Sequence, residues 1–199
     1  MFFEVICIVL FVYFYFGLQK INSMQKGEIE RLREENANMS YKIENMIILS
    51  KLQHSMERKG VQNILLYDKD NNRVQFDGLY SDDYRLGYFI SEQSCSVCYK
   101  SFFYILKETS NIIGKNKIAL ICKFKNRRNF QAFIKEHNLD FDIYRTEEDF
   151  GLFEEYNDYP FAFRITHGLW LENVIITDKT NFEMSNDYLN IVQAETQNR

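Results

Sequence analysis

The sequence predicts an α/β domain with a mixed central sheet, preceded by a long helical N-terminal region. From Val61 onward, short apolar runs of strand length alternate with segments of helical spacing, and a hairpin pattern follows Pro160. Between Lys20 and Lys59 there is no proline and only one glycine, which favours a continuous helix. The first 18 residues are nearly all apolar. The chain of 199 residues is therefore divided into an anchor (1–19), a stalk (20–59) and a globular domain (60–199).

The N-terminal segment has the composition of a membrane anchor. The run from Met1 to Leu18 is interrupted only by Glu4, and about 18 residues is the lower limit for a helix that spans a bilayer. No small-residue cleavage site follows, so we expect an uncleaved single-pass transmembrane helix. A buried core helix is the alternative, but the segment has no polar face.

The stalk shows a heptad pattern. Asn36 occupies a polar a-position in a seam of alternating three- and four-residue spacings, which is typical of a two-stranded coiled coil. A homodimer through this segment is therefore predicted. Alternatively, the stalk is a single helix that packs back on the globular domain through its C-terminal apolar residues. The seam comprises Ile29, Leu32, Met39, Ile43 and Met46, and the alternative contact residues are Ile47, Ile48, Leu49 and Leu52.

The globular domain contains seven strand-like runs and three helix-like runs. Predicted strands are Asn63–Tyr67, Arg73–Gly78, Tyr88–Ile90, Lys117–Phe124, Phe141–Tyr144, Phe161–Thr166 and Glu172–Thr177. Predicted helices are Val97–Ile113, Asn126–His137 and a terminal helix that includes Tyr188–Val192, while Glu147–Tyr156 is a short acidic helix or a loop. Gly114 ends the first of these helices.

Cys95 and Cys98 lie between a predicted strand and a predicted helix, which makes them candidate catalytic residues. A thiolate at a helix N-terminus is stabilised by unpaired N–H groups and by the helix dipole. The two-residue spacer places Cys98 within one helical turn of Cys95. An inert structural disulfide and a metal site are the alternatives, but no histidine has ligand-like spacing, so no metal is predicted. Cys7 and Cys122 are expected to be small buried hydrophobes.

The order of these elements resembles the thioredoxin family across about Leu65–Gln193, and in particular membrane-anchored bacterial thioredoxin-like proteins. The resemblance implies that Pro160 is a cis-proline facing the disulfide and that the backbone of Tyr159 pairs with a bound peptide. The family usually has tryptophan before the first cysteine and often proline before the second. Here those positions are Ser94 and Val97.

The sequence therefore predicts thiol–disulfide exchange with protein or peptide partners, without a cofactor. Attack by Cys95 on a substrate disulfide, followed by attack of Cys98 on Cys95, would transfer two electrons. A net charge of −4 gives no support to nucleic-acid binding. A non-catalytic binding or scaffold module remains an alternative, and so does a copper chaperone that would use both thiols and His167.

The expected location is the bacterial inner membrane with the redox domain in the periplasm. A disulfide-exchanging pair favours the oxidising side of the membrane. The positive-inside rule favours the cytoplasm instead, because basic residues follow the apolar segment and none precedes it. These basic residues are Lys20, Lys26, Arg31 and Arg33.

Overall fold

The computed structural model describes residues 2–79, 85–151, 159–166, 168–179 and 182–197. The strands in these ranges are β1 (Leu65–Tyr67), β2 (Arg73–Gln75), β3 (Leu86–Ser91), β4 (Ile118–Lys123), β5 (Asp142–Thr146), β6 (Phe161–Ile165) and β7 (Leu171–Ile176). The helices are α1 (Phe2–Met56), α2 (Ser96–Ile113), α3 (Arg127–His137) and α4 (Phe182–Gln197), with short 3-10 turns at Phe76–Leu79 and Lys115–Lys117. These elements confirm the predicted alternation of strands and helices. Part of the predicted segment Glu147–Tyr156 lies outside the described residues.

The described strands form one mixed sheet in the order β2-β1-β5-β4-β3-β6-β7. β3, β4 and β5 are parallel, with Phe89 opposite Ile121 and Ile121 opposite Tyr144. β6 runs antiparallel to β3, with Phe89 opposite Phe161, and β7 runs antiparallel to β6. The mixed α/β sheet predicted from the sequence is confirmed, and the start of β6 lies beside the end of β3.

Local signals fix the ends of the helices around the central strands. Asn126 caps α3, because its side-chain oxygen accepts a hydrogen bond of 2.7 Å from the Arg128 N–H. Asn138 ends this helix in the left-handed conformation, with φ of 45°. Gly114 follows α2 with φ of 102°, a value that glycine adopts without steric cost. These caps explain why the predicted helix limits agree closely with the observed ones.

Both faces of the sheet are covered. Helices α2, α3 and α4 pack on one face, where Tyr88 and Leu120 are fully buried. On the other face, Phe89, Phe161 and Phe163 pack with Leu49 and Met56 from the C-terminal end of α1 and with residues before β1. Because the inner strands are buried on both sides, they read in the sequence as continuous apolar runs.

The chain divides into two compact units, Met1–Ile47 and Ile48–Arg199. Leu49 and Met56 belong to the second unit and are almost fully buried in its core. The last two turns of α1 are therefore part of the folded domain. This matches the single-helix alternative for Leu49 and Leu52 but not for Ile47 and Ile48, which are exposed.

The transmembrane anchor, and with it the single-pass inner-membrane location, is a wrong prediction. No helix in the described parts of the chain is long and apolar enough to cross a membrane. The physical reason is that the apolar run contains Glu4 and ends at Leu18, so it only reaches the lower limit of the roughly 17–25 apolar residues that a spanning helix uses.

The heptad seam lies on α1 and is exposed in the single chain. Its residues Ile29, Leu32, Met39, Ile43 and Met46 are all about half exposed. Salt bridges from Arg31 to Glu28 and Glu35 follow the helical i,i+3 and i,i+4 spacing. The coiled-coil dimer stays a prediction.

Candidate functional site

The two cysteines lie where β3 turns into α2. The Ser94 N–H donates to the Ser91 carbonyl at 3.1 Å, and the Ser94 hydroxyl accepts from the Ser91 N–H at 2.9 Å. This reciprocal pair closes a tight turn after the strand. Cys95 follows as the N-cap residue of α2, and its carbonyl accepts from the Cys98 N–H at 3.0 Å. The local sequence thus fixes both thiols at the first turn of a helix.

Cys95 and Cys98 are joined by a disulfide, with their Cα atoms 5.2 Å apart. The two residues differ strongly in exposure, since Cys95 is exposed and Cys98 is 5% exposed. An external thiol or disulfide can therefore reach Cys95 but not Cys98. The first turn of α2 carries no acidic residue that would oppose a thiolate at Cys95.

The segment after β7 supplies a carboxylate to this site. Asp178 Oδ2 lies 3.8 Å from Cys98 Sγ. Asp178 is half-buried and follows Thr177, which is fully enclosed. In the reduced protein the Cys98 thiol would have an acceptor at this distance, so Asp178 is the one charged group placed to take its proton among the contacts described.

Thr177 connects the same segment to Pro160 and to the core. Its N–H and hydroxyl both donate to the Pro160 carbonyl, at 2.9 and 3.2 Å. Its hydroxyl oxygen is also 2.8 Å from the hydroxyl of Tyr88, and burial raises the pKa of that phenol well above its ordinary value. Pro160 and Asp178 are thereby held near the end of β3, which the two cysteines follow.

The cis geometry expected at Pro160 is not present. None of the peptide bonds between described residues is cis, and this includes the bond from Tyr159 to Pro160. The prediction failed because an X–Pro bond prefers trans by only about 0.5–1 kcal/mol. Both isomers are therefore accessible, and the sequence does not fix which one forms. Pro160 itself is buried, and the Tyr159 side chain packs against the second core. The peptide-binding roles of Tyr159 and Pro160 stay predictions.

The remaining cysteines are free thiols that differ in exposure. Cys122 is fully buried in β4, as expected, and burial raises the pKa of its thiol. Cys7 is exposed, which contradicts the expectation that it is buried. The described residues contain no group of three histidine, cysteine, aspartate or glutamate side chains placed to hold a metal. His167, which the copper alternative needs, lies outside them.

Sequence reasoning missed Asp178. A signal was available, because the antiparallel pairing of the two predicted hairpin strands places the end of the second strand beside the start of the first. Since Pro160 was expected near the disulfide, Asp178 should have been expected there as well.

Solved structures of other proteins share this fold. No protein-family model matches the chain, and no curated protein matches it in sequence. A thiol:disulfide interchange protein from Bacteroides sp. superposes with a TM-score of 0.52 at 17% identity, over 71% of this chain and 90% of that one. A protein assigned as the thiol:disulfide interchange protein DsbE from Chlorobium tepidum gives 0.53 at 11%, over 69% and 97%. At these identities the likeness shows the fold alone, which is thioredoxin-like.

Proposed function

We propose that this protein exchanges disulfides with the thiols and disulfides of other proteins or peptides through Cys95 and Cys98. The observation that carries the proposal is the asymmetry of the pair. An exposed Cys95 at the start of α2 is joined to a buried Cys98, within a thioredoxin-like fold. The similar solved structures named as thiol:disulfide interchange proteins support the same chemistry.

In the reducing direction the reaction has two steps. The Cys95 thiolate attacks one sulfur of a substrate disulfide, a bond forms between Cys95 and that sulfur, and the other sulfur leaves as a thiolate. Cys98 then loses its proton to the Asp178 carboxylate, 3.8 Å away, and attacks Cys95. The Cys95–Cys98 bond forms, the second substrate sulfur leaves, and two electrons have passed to the substrate.

The oxidising direction is the reverse of these steps. A substrate thiolate attacks the exposed Cys95 of the disulfide, and Cys98 leaves as a thiolate that regains its proton. A second substrate thiolate then attacks the substrate sulfur that is bonded to Cys95, the substrate disulfide forms, and Cys95 leaves as a thiolate. The direction depends on the reduction potential of the pair relative to its partners. The neutral spacer Ser96–Val97 favours neither direction.

Trapping of the mixed disulfide tests the proposal. A Cys98→Ser variant should accumulate a covalent adduct with a peptide disulfide, because the resolving thiol is absent. A Cys95→Ser variant, whose remaining thiol is buried, should trap little. Equal trapping by the two variants, or none by either, would contradict the assigned roles.

The alternative is a scaffold module whose cysteines are not used. It predicts that a Cys95→Ser/Cys98→Ser double variant binds the partner as the wild type does. It also predicts that the wild type has no exchange activity. A wild-type protein that accelerates peptide disulfide reduction, compared with this double variant, excludes it.

A homodimer through α1 remains part of the proposal. The half-exposed seam around Asn36 supports it, since unpaired apolar residues at heptad spacing gain most by packing against a second copy.

A further inference from the structure

An open cavity near the start of α2 has no role in the exchange steps above. It has a volume of about 450 Å³ and lies between α2, α3 and the ends of β3 and β4. Glu92 and Tyr99 contribute to its wall. Glu92 lies three residues before Cys95, and Tyr99 lies four residues after it on α2, so this wall of the cavity begins about one helical turn from Cys95.

One wall of the cavity is aromatic and firmly packed. The ring centroids of Phe124 and Phe133 are 5.3 Å apart, and those of Tyr99 and Phe133 are 6.0 Å apart. His137 packs against Phe133 at 4.6 Å behind this wall. Aromatic side chains suit the methylene groups of a long side chain and also attract a cation.

The polar part of the wall is acidic. Glu92, Glu136 and the amide of Asn129 line the cavity, and no described lining residue is basic. The backbone N–H of Glu92 donates to the Lys123 carbonyl at 3.2 Å, which fixes the start of this side chain. Two carboxylates beside an aromatic wall are complementary to a cationic side chain.

Lys100 already interacts with one of these carboxylates. Its Nζ lies 3.2 Å from Glu136, and both side chains are more than half exposed. An exposed pair of this kind is worth little and is readily exchanged for another cation. The contact shows that a primary ammonium group fits beside Glu136.

We propose that this cavity binds a lysine or arginine side chain of the substrate, located close in sequence to the substrate cysteine that reacts with Cys95. This inference rests on the proposed function. An extended peptide advances about 3.3 Å per residue, so a basic residue one or two positions from the reacting cysteine lies within reach of the cavity. The protein would then select disulfides in a basic sequence context.

Matched peptide disulfides test the inference. One peptide carries arginine two residues from its cysteine, and the other carries citrulline, which has nearly the same shape but no charge. We expect the reduced protein to reduce the arginine peptide with about fivefold higher kcat/KM at low salt, and a smaller ratio at high salt. An arginine-to-citrulline ratio near one in the wild-type protein would overturn the inference.

Two variants link the preference to the cavity. Glu92→Gln/Glu136→Gln should lower the ratio to below about twofold, as expected when the ion pairs are lost. Glu108→Gln is the control, because this exposed residue lies on α2 about 13 Å further along the helix than Tyr99. A preference that survives the double substitution, or that falls equally in the control, would contradict the assignment to this cavity.

A neutral small disulfide separates this inference from the proposed function. Hydroxyethyl disulfide has no side chain for the cavity, so the wild-type protein should reduce it whether or not the cavity binds a basic residue. If hydroxyethyl disulfide and both peptides are left unreduced, the proposed function fails. If hydroxyethyl disulfide is reduced and the two peptides react equally, only the cavity assignment fails.

Discussion

Replacement of Asp178 by asparagine tests how the buried thiol is activated. The two negative charges of an Asp178 carboxylate and a Cys98 thiolate, 3.8 Å apart, would repel by about 1 kcal/mol in water and about 4 kcal/mol at an effective dielectric constant of 20. A half-buried site lies between these limits. This repulsion opposes the presence of both charges at once, so transfer of the Cys98 proton to Asp178 is expected to accompany the attack on Cys95. The neutral amide of the Asp178→Asn variant could not accept this proton.

The expected loss is in the second step only. General-base catalysis is worth about 10²–10⁴-fold in favourable geometry. The 3.8 Å contact is long and partly open to water, so we expect Asp178→Asn to slow the attack of Cys98 on Cys95 by about tenfold at neutral pH. In this variant the rate of the second step should rise about tenfold per pH unit, because Cys98 must lose its thiol proton to solvent.

A chromogenic aromatic disulfide resolves the two steps in a stopped-flow experiment. Attack by Cys95 releases the first coloured thiolate, and attack by Cys98 releases the second. The first phase should be similar in the wild type and in Asp178→Asn, whereas the second phase should slow. Asp187→Asn, an exposed residue on α4, is the control. An unchanged second phase with an unchanged pH profile would refute the assignment of Asp178 as the proton acceptor.

Three further predictions concern the fold. Gly87→Ala would place a Cβ 2.6 Å from the fully buried ring of Phe163, so we expect the free energy of unfolding, measured in urea, to fall by about 1–3 kcal/mol. The control Gly78→Ala should change it little, because the nearest atom to its Cβ would be 3.8 Å away. His137 has a buried Nε2 without a described hydrogen-bond partner, and burial lowers its pKa. The unfolded state therefore binds more protons, so stability that is present above the ordinary histidine pKa should fall as the pH drops below it. His137→Phe should remove this pH dependence and raise the free energy of unfolding by about 1 kcal/mol. The measurement is urea unfolding at pH values on either side of about 6.5, and a pH dependence that is unchanged in the variant would contradict the assignment to His137. Asn36→Leu should tighten the dimer or shift it toward higher oligomers, as seen in the molar mass measured by light scattering. If the wild type and the variant are both monomeric, the coiled-coil prediction is contradicted.

The redox pair could be placed from the sequence because its position depends on local signals. An apolar strand, a turn held by serine side chains and a helix start all occur within residues 86–100. The parallel strands could also be recognised, since burial on both faces makes them continuous apolar runs. These features need no knowledge of distant contacts.

The features that were missed depend on distant contacts or on small energy differences. The contact from Asp178 to Cys98 joins residues 80 positions apart and needs the register of β6 and β7, which is irregular between Ala162 and Arg164. The cavity combines side chains from β3, α2, α3 and the segments that follow β3 and β4. The isomer at Pro160 depends on less than about 1 kcal/mol, which a sequence pattern does not resolve.

The reduction potential of the Cys95–Cys98 pair tests the central claim most directly. The protein would be equilibrated with dithiothreitol or glutathione buffers, and its free thiols would be counted by alkylation and mass spectrometry. A reversible two-electron couple between about −120 and −270 mV is predicted, which is the range of exchange catalysts. A bond that stays oxidised below about −300 mV would identify a structural disulfide and contradict the proposed exchange function.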